Sequence, residues 1–234
     1  MKCGMNIFIN LLVIYCLISA TDTRAADSSR CDDIIHQVGG PCLFGEGRSA
    51  AGFLAKQHRD VAGFLVGRDS FKVAEKVFGR ATVWSSGIAF EAEHKVCYIS
   101  KNNNTKVAVV ISSDADIPGG IADTVRLIQG DVGFSGHCTD SAVPPDKLRT
   151  TSGIRVGMTL TAFQSIMGEP SAAKGDLLFY GFCHTKELKP GERQYLQCLD
   201  AGKSIGTRCS GITARFLDGL LQWLEIGAAA DYEC

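Results

Sequence analysis

The sequence predicts an α+β fold of two tandem repeats, each a short helical region followed by an antiparallel β-sheet, held together by disulfide bonds. The first observation is internal similarity: "VGMTLTAFQSIMGEP" at residues 156–170 resembles "VGRDSFKVAEKVFGRA" at residues 66–81. Both stretches have a glycine, a hydroxyl residue suited to a helix cap, apolar residues at helical spacing and a closing glycine. The second observation is that segments typical of strands follow each stretch.

The first repeat contains a capped helix and then strands. Ser70 can cap the helix by accepting a hydrogen bond from a free backbone N–H, and Gly79 ends it. Residues 82–100 and 106–112 have the β-branched and aromatic composition of strands, with a polar turn between them. Residues 121–129, "IADTVRLIQ", fit either a strand or a helix, and comparison with the second copy favours a strand.

The second repeat restarts near Ile154 in the same order. Thr159 takes the position of Ser70, and Gly168 ends the helix. Strands are predicted at residues 176–184 and 193–200.

A β-hairpin at the C-terminal end is the clearest local signal. "ITARFL" and "LLQWLEI" flank Asp218-Gly219, a dipeptide typical of a type I′ turn, which pairs Leu217 with Leu220. Strict alternation from that pair then defines two faces. The face predicted to meet the helices holds Ile212, Ala214, Phe216, Leu221 and Trp223, and the exposed face holds Thr213, Arg215, Gln222 and Leu224.

The domain organisation begins with an export signal. Lys2 precedes the apolar run "IFINLLVIYCLIS", and "TRAA" offers small residues for cleavage after Ala25 or Ala26. A retained anchor helix is the alternative. The predicted segments are a signal peptide at 1–25, a leader at 26–60, the first repeat at 61–135, a Pro-Pro-containing linker at 136–153 and the second repeat at 154–234.

Charge and cysteine content narrow the compartment and the partners. The formal net charge of −1 argues against nucleic acid or an anionic membrane as the main partner. After signal removal no membrane span is expected, which predicts a periplasmic or secreted protein. An even number of cysteines in an exported chain indicates disulfides of undetermined connectivity. The cysteines outside the signal are Cys31, Cys42, Cys97, Cys138, Cys183, Cys198, Cys209 and Cys234.

No motif for catalysis, metal or cofactor stands out. His137 and His184 each adjoin a cysteine, but adjacent residues of a strand point to opposite faces, so no metal site is predicted. The stretch "GFSGH" at residues 133–137 lacks the spacing of a nucleophile elbow. We therefore expect no enzyme activity and no cofactor.

Three stretches carry a resemblance to a known family. "VGMTLTAFQSIMG", "YLQCLD" and "ARFLDGLLQ" resemble the repeat of the secreted β-lactamase inhibitor protein family. They also resemble the single-copy repeat of the small outer-membrane lipoprotein of the β-barrel assembly machine. The resemblance implies a tandem domain whose two sheets join into one concave surface, which in the inhibitor grips an enzyme's loop region. This chain departs from the family in its longer leader and its additional cysteines.

The expected function is that of an exported, non-catalytic module that binds another protein, of the inhibitor-like or envelope-assembly type. Tyr180, Tyr195, Arg215 and Gln222 are the predicted binding residues on the exposed sheet face, because tyrosine and arginine are favoured at interface centres. Burial of the two tyrosines at the sheet edge or in the core is the alternative for those positions. Two other functions stay open: a hydrolase with a dispersed active site, and a structural envelope protein without a discrete partner.

Overall fold

The computed structural model describes residues 50–51, 53–86, 93–114, 120–130, 135–187 and 205–233, all within the unit Leu43–Cys234. The predicted signal peptide, Cys31, Cys42, Cys198, Cys234 and Tyr195 lie outside the described residues. The described part is a mixed helix and sheet fold, mostly antiparallel, with two disulfide bonds.

The secondary structure follows the predicted order of helix before strands. The helices are α1 (Lys56–Arg59), α2 (Phe71–Phe78) and α3 (Leu160–Met167). The strands are β1 (Ala50–Ala51), β2 (Asp60–Val61), β3 (Phe64–Leu65), β4 (Trp84–Ser86), β5 (Glu93–Lys101), β6 (Lys106–Asp114), β7 (Thr124–Gln129), β8 (Cys138–Asp140), β9 (Ala172–Lys174), β10 (Leu177–Glu187), β11 (Ile205–Leu217) and β12 (Leu220–Glu233). The ambiguous segment 121–129 contains strand β7, as predicted.

One large sheet organises the described residues. Its strand order is β1-β10-β11-β12-β7-β6-β5-β4, with β8 alongside β5 and β9 alongside β10. The meander β5-β6-β7 and the meander β10-β11-β12 therefore meet where β7 pairs antiparallel with β12. A separate short hairpin is formed by β2 and β3.

The two longer helices enter the fold in the same way. A glycine with positive φ precedes each one, Gly67 at 76° and Gly157 at 78°. The Gly67 N–H donates to the Ala122 carbonyl just before β7, and the Gly157 N–H donates to the Leu221 carbonyl in β12, each at 2.7 Å. Each helix therefore starts against the last strand of its own meander.

The caps of these helices differ. The Thr159 hydroxyl accepts a hydrogen bond from the Ala162 N–H at 3.3 Å, as predicted. Ser70 occupies the cap position of α2, but its side chain makes no cap hydrogen bond, which corrects the expectation for that residue. Both helices end at glycines with positive φ, Gly79 and Gly168.

The core lies between α2, α3 and one face of the large sheet, here called the core face. Tyr98 on β5 and Tyr180 on β10 are among its largest fully buried side chains. Phe78 lies 5.3 Å from Tyr98, and Phe163 lies 5.7 Å from Tyr180, between ring centroids. Burial raises the pKa of each tyrosine to about 12. Burying each of these aromatic rings contributes about 1.5–3 kcal/mol.

The C-terminal hairpin has the predicted turn but not the predicted faces. Positive φ at both Asp218 and Gly219 fits a type I′ turn. Arg215 pairs with Trp223, and the pairing register shifts at the next residue of β11. One extra residue of β12 is accommodated there as a β-bulge. Leu224 is consequently 0% exposed in the core, while Trp223 lies on the other face. The predicted faces of Trp223 and Leu224 were wrong because alternation breaks at this bulge.

The predicted linker segment 136–153 contains packed structure. Its strand β8 pairs with β5, and Cys138 forms a disulfide with Cys97. Leu148 and Thr150 are buried. The second disulfide joins neighbouring strands of the sheet through Cys183 and Cys209. Within the described residues, no helix is both long enough and apolar enough to cross a membrane.

Candidate functional site

The face of the large sheet opposite the core face is called here the second face. The strand register aligns its residues in rows that cross six strands, from β5 to β10. The middle row is Cys97, Val110, Arg126, Glu225, Thr213 and Phe179; the row on one side is Lys95, Ser112, Thr124, Gly227, Gly211 and Gly181; the row on the other side includes Ile99, Ala108, Ile128, Trp223 and Arg215. The second face is thus continuous across both meanders.

A buried ion pair lies at the centre of this face. Arg126 on β7 and Glu225 on β12 are direct cross-strand partners, and Arg126 Nε donates to Glu225 Oε2 at 2.5 Å. Their side chains are only 13% and 3% exposed. Arg126 Nη2 is buried without a hydrogen-bond partner among the described residues. The pair therefore joins the two meanders and retains one unused donor.

A row of glycines borders the ion pair. Gly181, Gly211 and Gly227 are direct neighbours on β10, β11 and β12, so three adjacent strands present no side chain at this level. Glycine in strand interiors commonly marks a place where another backbone approaches closely. Phe179 and Thr213 lie beside this row. All three glycines and Thr213 are buried, so this part of the second face is not open to solvent.

The four predicted binding residues do not come together. Tyr180 is 2% exposed, and its hydroxyl donates to the Gly168 carbonyl at 3.1 Å. This corrects its assignment to the exposed face: Tyr180 points to the core, and its neighbour Phe179 lies on the second face. Arg215 is exposed on the second face, where its Nε donates to Asp176 Oδ2 at 2.6 Å. Gln222 is half-buried at the bulge, and Tyr195 lies outside the described residues.

Sequence reasoning missed a cavity of about 400 Å³ beside His184 of β10 and Arg208 of β11. It is called here the arginine pocket and is lined by Phe53, Arg59, Leu65, Gly67, Arg68, His184 and Arg208. His184 and Arg208 face each other across the β10–β11 ladder. The basic residues come from three separate regions of the chain, and their sequence context gives no sign that they meet.

The guanidinium of Arg59 is firmly positioned in this pocket. Its Nε donates to the Leu54 carbonyl at 2.9 Å, and its Nη1 donates to the Val66 carbonyl at 2.7 Å. The Arg59 Cζ atom lies 4.5 Å from the Phe53 ring centroid, and Arg208 Cζ lies 6.0 Å from the same centroid. One aromatic ring therefore contacts two cations.

Positive charge in the pocket is only partly compensated. Burial, followed by the charges of Arg208 and Arg68, lowers the pKa of Arg59. Arg68 pairs with Asp69 at 2.8 Å, and this contact raises the pKa of Arg68. Within the described ranges, neither Arg59 nor Arg208 has a carboxylate partner.

Two serine–histidine pairs bear on the hydrolase alternative. His58 Nδ1 lies 2.9 Å from Ser152 Oγ, and His94 Nδ1 lies 2.8 Å from Ser85 Oγ. Burial lowers the pKa of His58. In the part of the chain that the structure describes, neither histidine contacts the carboxylate that orients the base in a catalytic triad. The same residues contain no group of three or more side chains suited to a metal ion.

These features define a disulfide-bonded protein of mixed helix and mostly antiparallel sheet, with a buried ion pair on one sheet face and a basic pocket near the other. No family model, no curated protein and no solved structure matches the chain.

Proposed function

We propose that this chain is an exported, non-catalytic module that binds another protein through the second face of its sheet. The observation that carries the proposal is the less buried end of this face, where the exposed Arg215 pairs across the strands with the half-buried Trp223.

The surroundings of the ion pair suit a protein partner. Trp223 and Arg215 lie opposite each other on β12 and β11, and tryptophan and arginine are enriched among residues that dominate binding energy. The two disulfides support export, because disulfides form and persist in oxidising compartments such as the periplasm or the cell exterior.

We also propose that the two meanders are tandem copies, as the resemblance to the β-lactamase inhibitor protein family implies. The β7–β12 ladder supports this. Val125 pairs with Ile226, and Leu127 pairs with Leu224, on either side of the Arg126–Glu225 pair. A two-fold axis through the ion pair exchanges the two flanking pairs.

The helix entries support the same two-fold relation. A Cβ atom on Gly67 would lie 2.7 Å from the Ala228 side chain on β12, and one on Gly157 would lie 3.6 Å from the Gln129 side chain on β7. Each entry glycine therefore bonds to its own meander and also lies against the adjoining strand of the other meander. The axis that relates the flanking ladder pairs also relates Ala228 to Gln129.

The experiment is affinity capture from an envelope or secretion extract, using the oxidised protein and two charge-reversal variants. Arg215→Glu changes the second face, and Arg149→Glu is the matched control on an exposed residue outside the large sheet. We expect one protein to be recovered by the wild type and by Arg149→Glu, and its recovery to fall with Arg215→Glu. Equal recovery with both variants would place binding elsewhere.

The hydrolase remains the second candidate because of the His58–Ser152 pair. A fluorophosphonate probe reacts with activated serines, so it separates the two functions. We expect the wild type to be labelled no more than Ser152→Ala. Labelling that disappears in Ser152→Ala would favour the hydrolase.

A further inference from the structure

We propose that the arginine pocket binds an oxyanion, a carboxylate or a phosphate group, held between Arg59 and Arg208. This site is separate from the second face. On β10, His184 has the same parity as Tyr180, which points to the core, so the pocket lies on the core-face side of the sheet. Failure of one proposal therefore leaves the other intact.

The first argument is the positioning of the cations. Arg59 is fixed by two backbone carbonyls and by the Phe53 ring, so little side-chain entropy remains to be lost when a ligand binds. Arg208 is exposed at the rim and contacts the same ring. A ligand oxygen placed between them meets one preorganised donor and one donor that can adjust.

The second argument is charge. Arginine is the residue best suited to carboxylate and phosphate recognition, because its planar guanidinium offers donors in a fixed fork. Asp69 neutralises Arg68, and its carboxylate also accepts from the Leu65 N–H. Arg59 and Arg208 have no such acid among the described residues. An anionic ligand would offset the burial and the repulsion from Arg208 and Arg68 that together lower the pKa of Arg59.

The third argument is space. A volume of about 400 Å³ falls within the range of small-molecule sites. The lining combines an aromatic ring with several basic groups, so an oxyanion that carries a small apolar body fits its chemistry.

The test is isothermal titration calorimetry of the full oxidised protein at low ionic strength, with inorganic phosphate and with glutarate as separate probes. Arg208→Gln removes the exposed cation, and Arg59→Gln removes the positioned one. Arg149→Gln is the control, because it removes the same charge from an exposed site outside the pocket. Losing one charge-assisted hydrogen bond is expected to weaken binding by roughly tenfold or more.

Saturable binding of either probe that is weakened by Arg208→Gln but not by Arg149→Gln supports the site. The probe that binds more tightly then identifies the preferred oxyanion as a phosphate or a carboxylate. Arg59 also donates hydrogen bonds to two backbone carbonyls. If Arg59→Gln does not fold, Arg208→Gln alone tests the site. No saturable binding of either probe, or equal weakening by Arg149→Gln and Arg208→Gln, would overturn the proposal.

Discussion

Replacing Glu225 with leucine tests the junction between the two meanders. The change leaves Arg126 in a site where it is almost fully buried and where its only described side-chain partner has been removed. Removing one member of a buried ion pair typically costs about 3–5 kcal/mol, because an unpaired charge remains out of water. For a chain of this size such a loss lowers the melting temperature by roughly 6–20 °C.

The double variant Arg126→Met/Glu225→Leu should recover most of this loss. It leaves no charge behind, and apolar replacements of buried pairs are often neutral or stabilising by about 1–4 kcal/mol. The single change Arg126→Met should be destabilising as well, because it leaves the Glu225 carboxylate unpaired. The strong coupling expected between the two positions follows from their direct cross-strand pairing.

Urea denaturation of the oxidised proteins, followed by circular dichroism, gives the free energy of unfolding for the wild type, both single variants and the double variant. The double-mutant cycle then gives the coupling free energy. If the loss of unfolding free energy in the double variant equals the sum of the two single losses, the ion pair does not stabilise the junction between the meanders. Single losses below about 1 kcal/mol would match an exposed pair and refute the burial argument.

Three further predictions concern local features. Thr159→Ala should cost about 1 kcal/mol in unfolding free energy, and Ser70→Ala should cost clearly less, because only the threonine side chain makes a cap bond. The raised pKa values of Tyr98 and Tyr180 mean that these tyrosines ionise at a lower pH in the unfolded chain than in the folded protein. The free energy of unfolding should therefore fall as pH rises from 10 to 12. The double Tyr→Phe variant should show a smaller fall in its urea midpoint; an identical fall would contradict the assignment. Deletion of Gln222 should preserve the circular dichroism spectrum and cooperative unfolding, because the bulge residue has no ladder partner and its loss restores plain alternation.

Local chemistry made part of the fold predictable. The cap at Thr159, the helix ends at Gly79 and Gly168, and the Asp218-Gly219 turn each depend on residues that lie within a few positions of one another. The bulge is different, because it results from packing Leu224 into a core built by distant strands. Alternation alone therefore assigned Trp223 and Leu224 to the wrong faces.

The candidate sites could not be read from the sequence because their members are distant in the chain. Arg126 and Glu225 meet only because β7 and β12 pair in one register, and a shift of one residue between the two strands would put them on opposite faces of the sheet. That register also places the three strand glycines level with Thr124. The same pairing that joins the two meanders therefore creates the ion pair and the continuous second face together, which is why a variant that uncouples β7 from β12 should lose stability and, under the proposed function, partner binding at once.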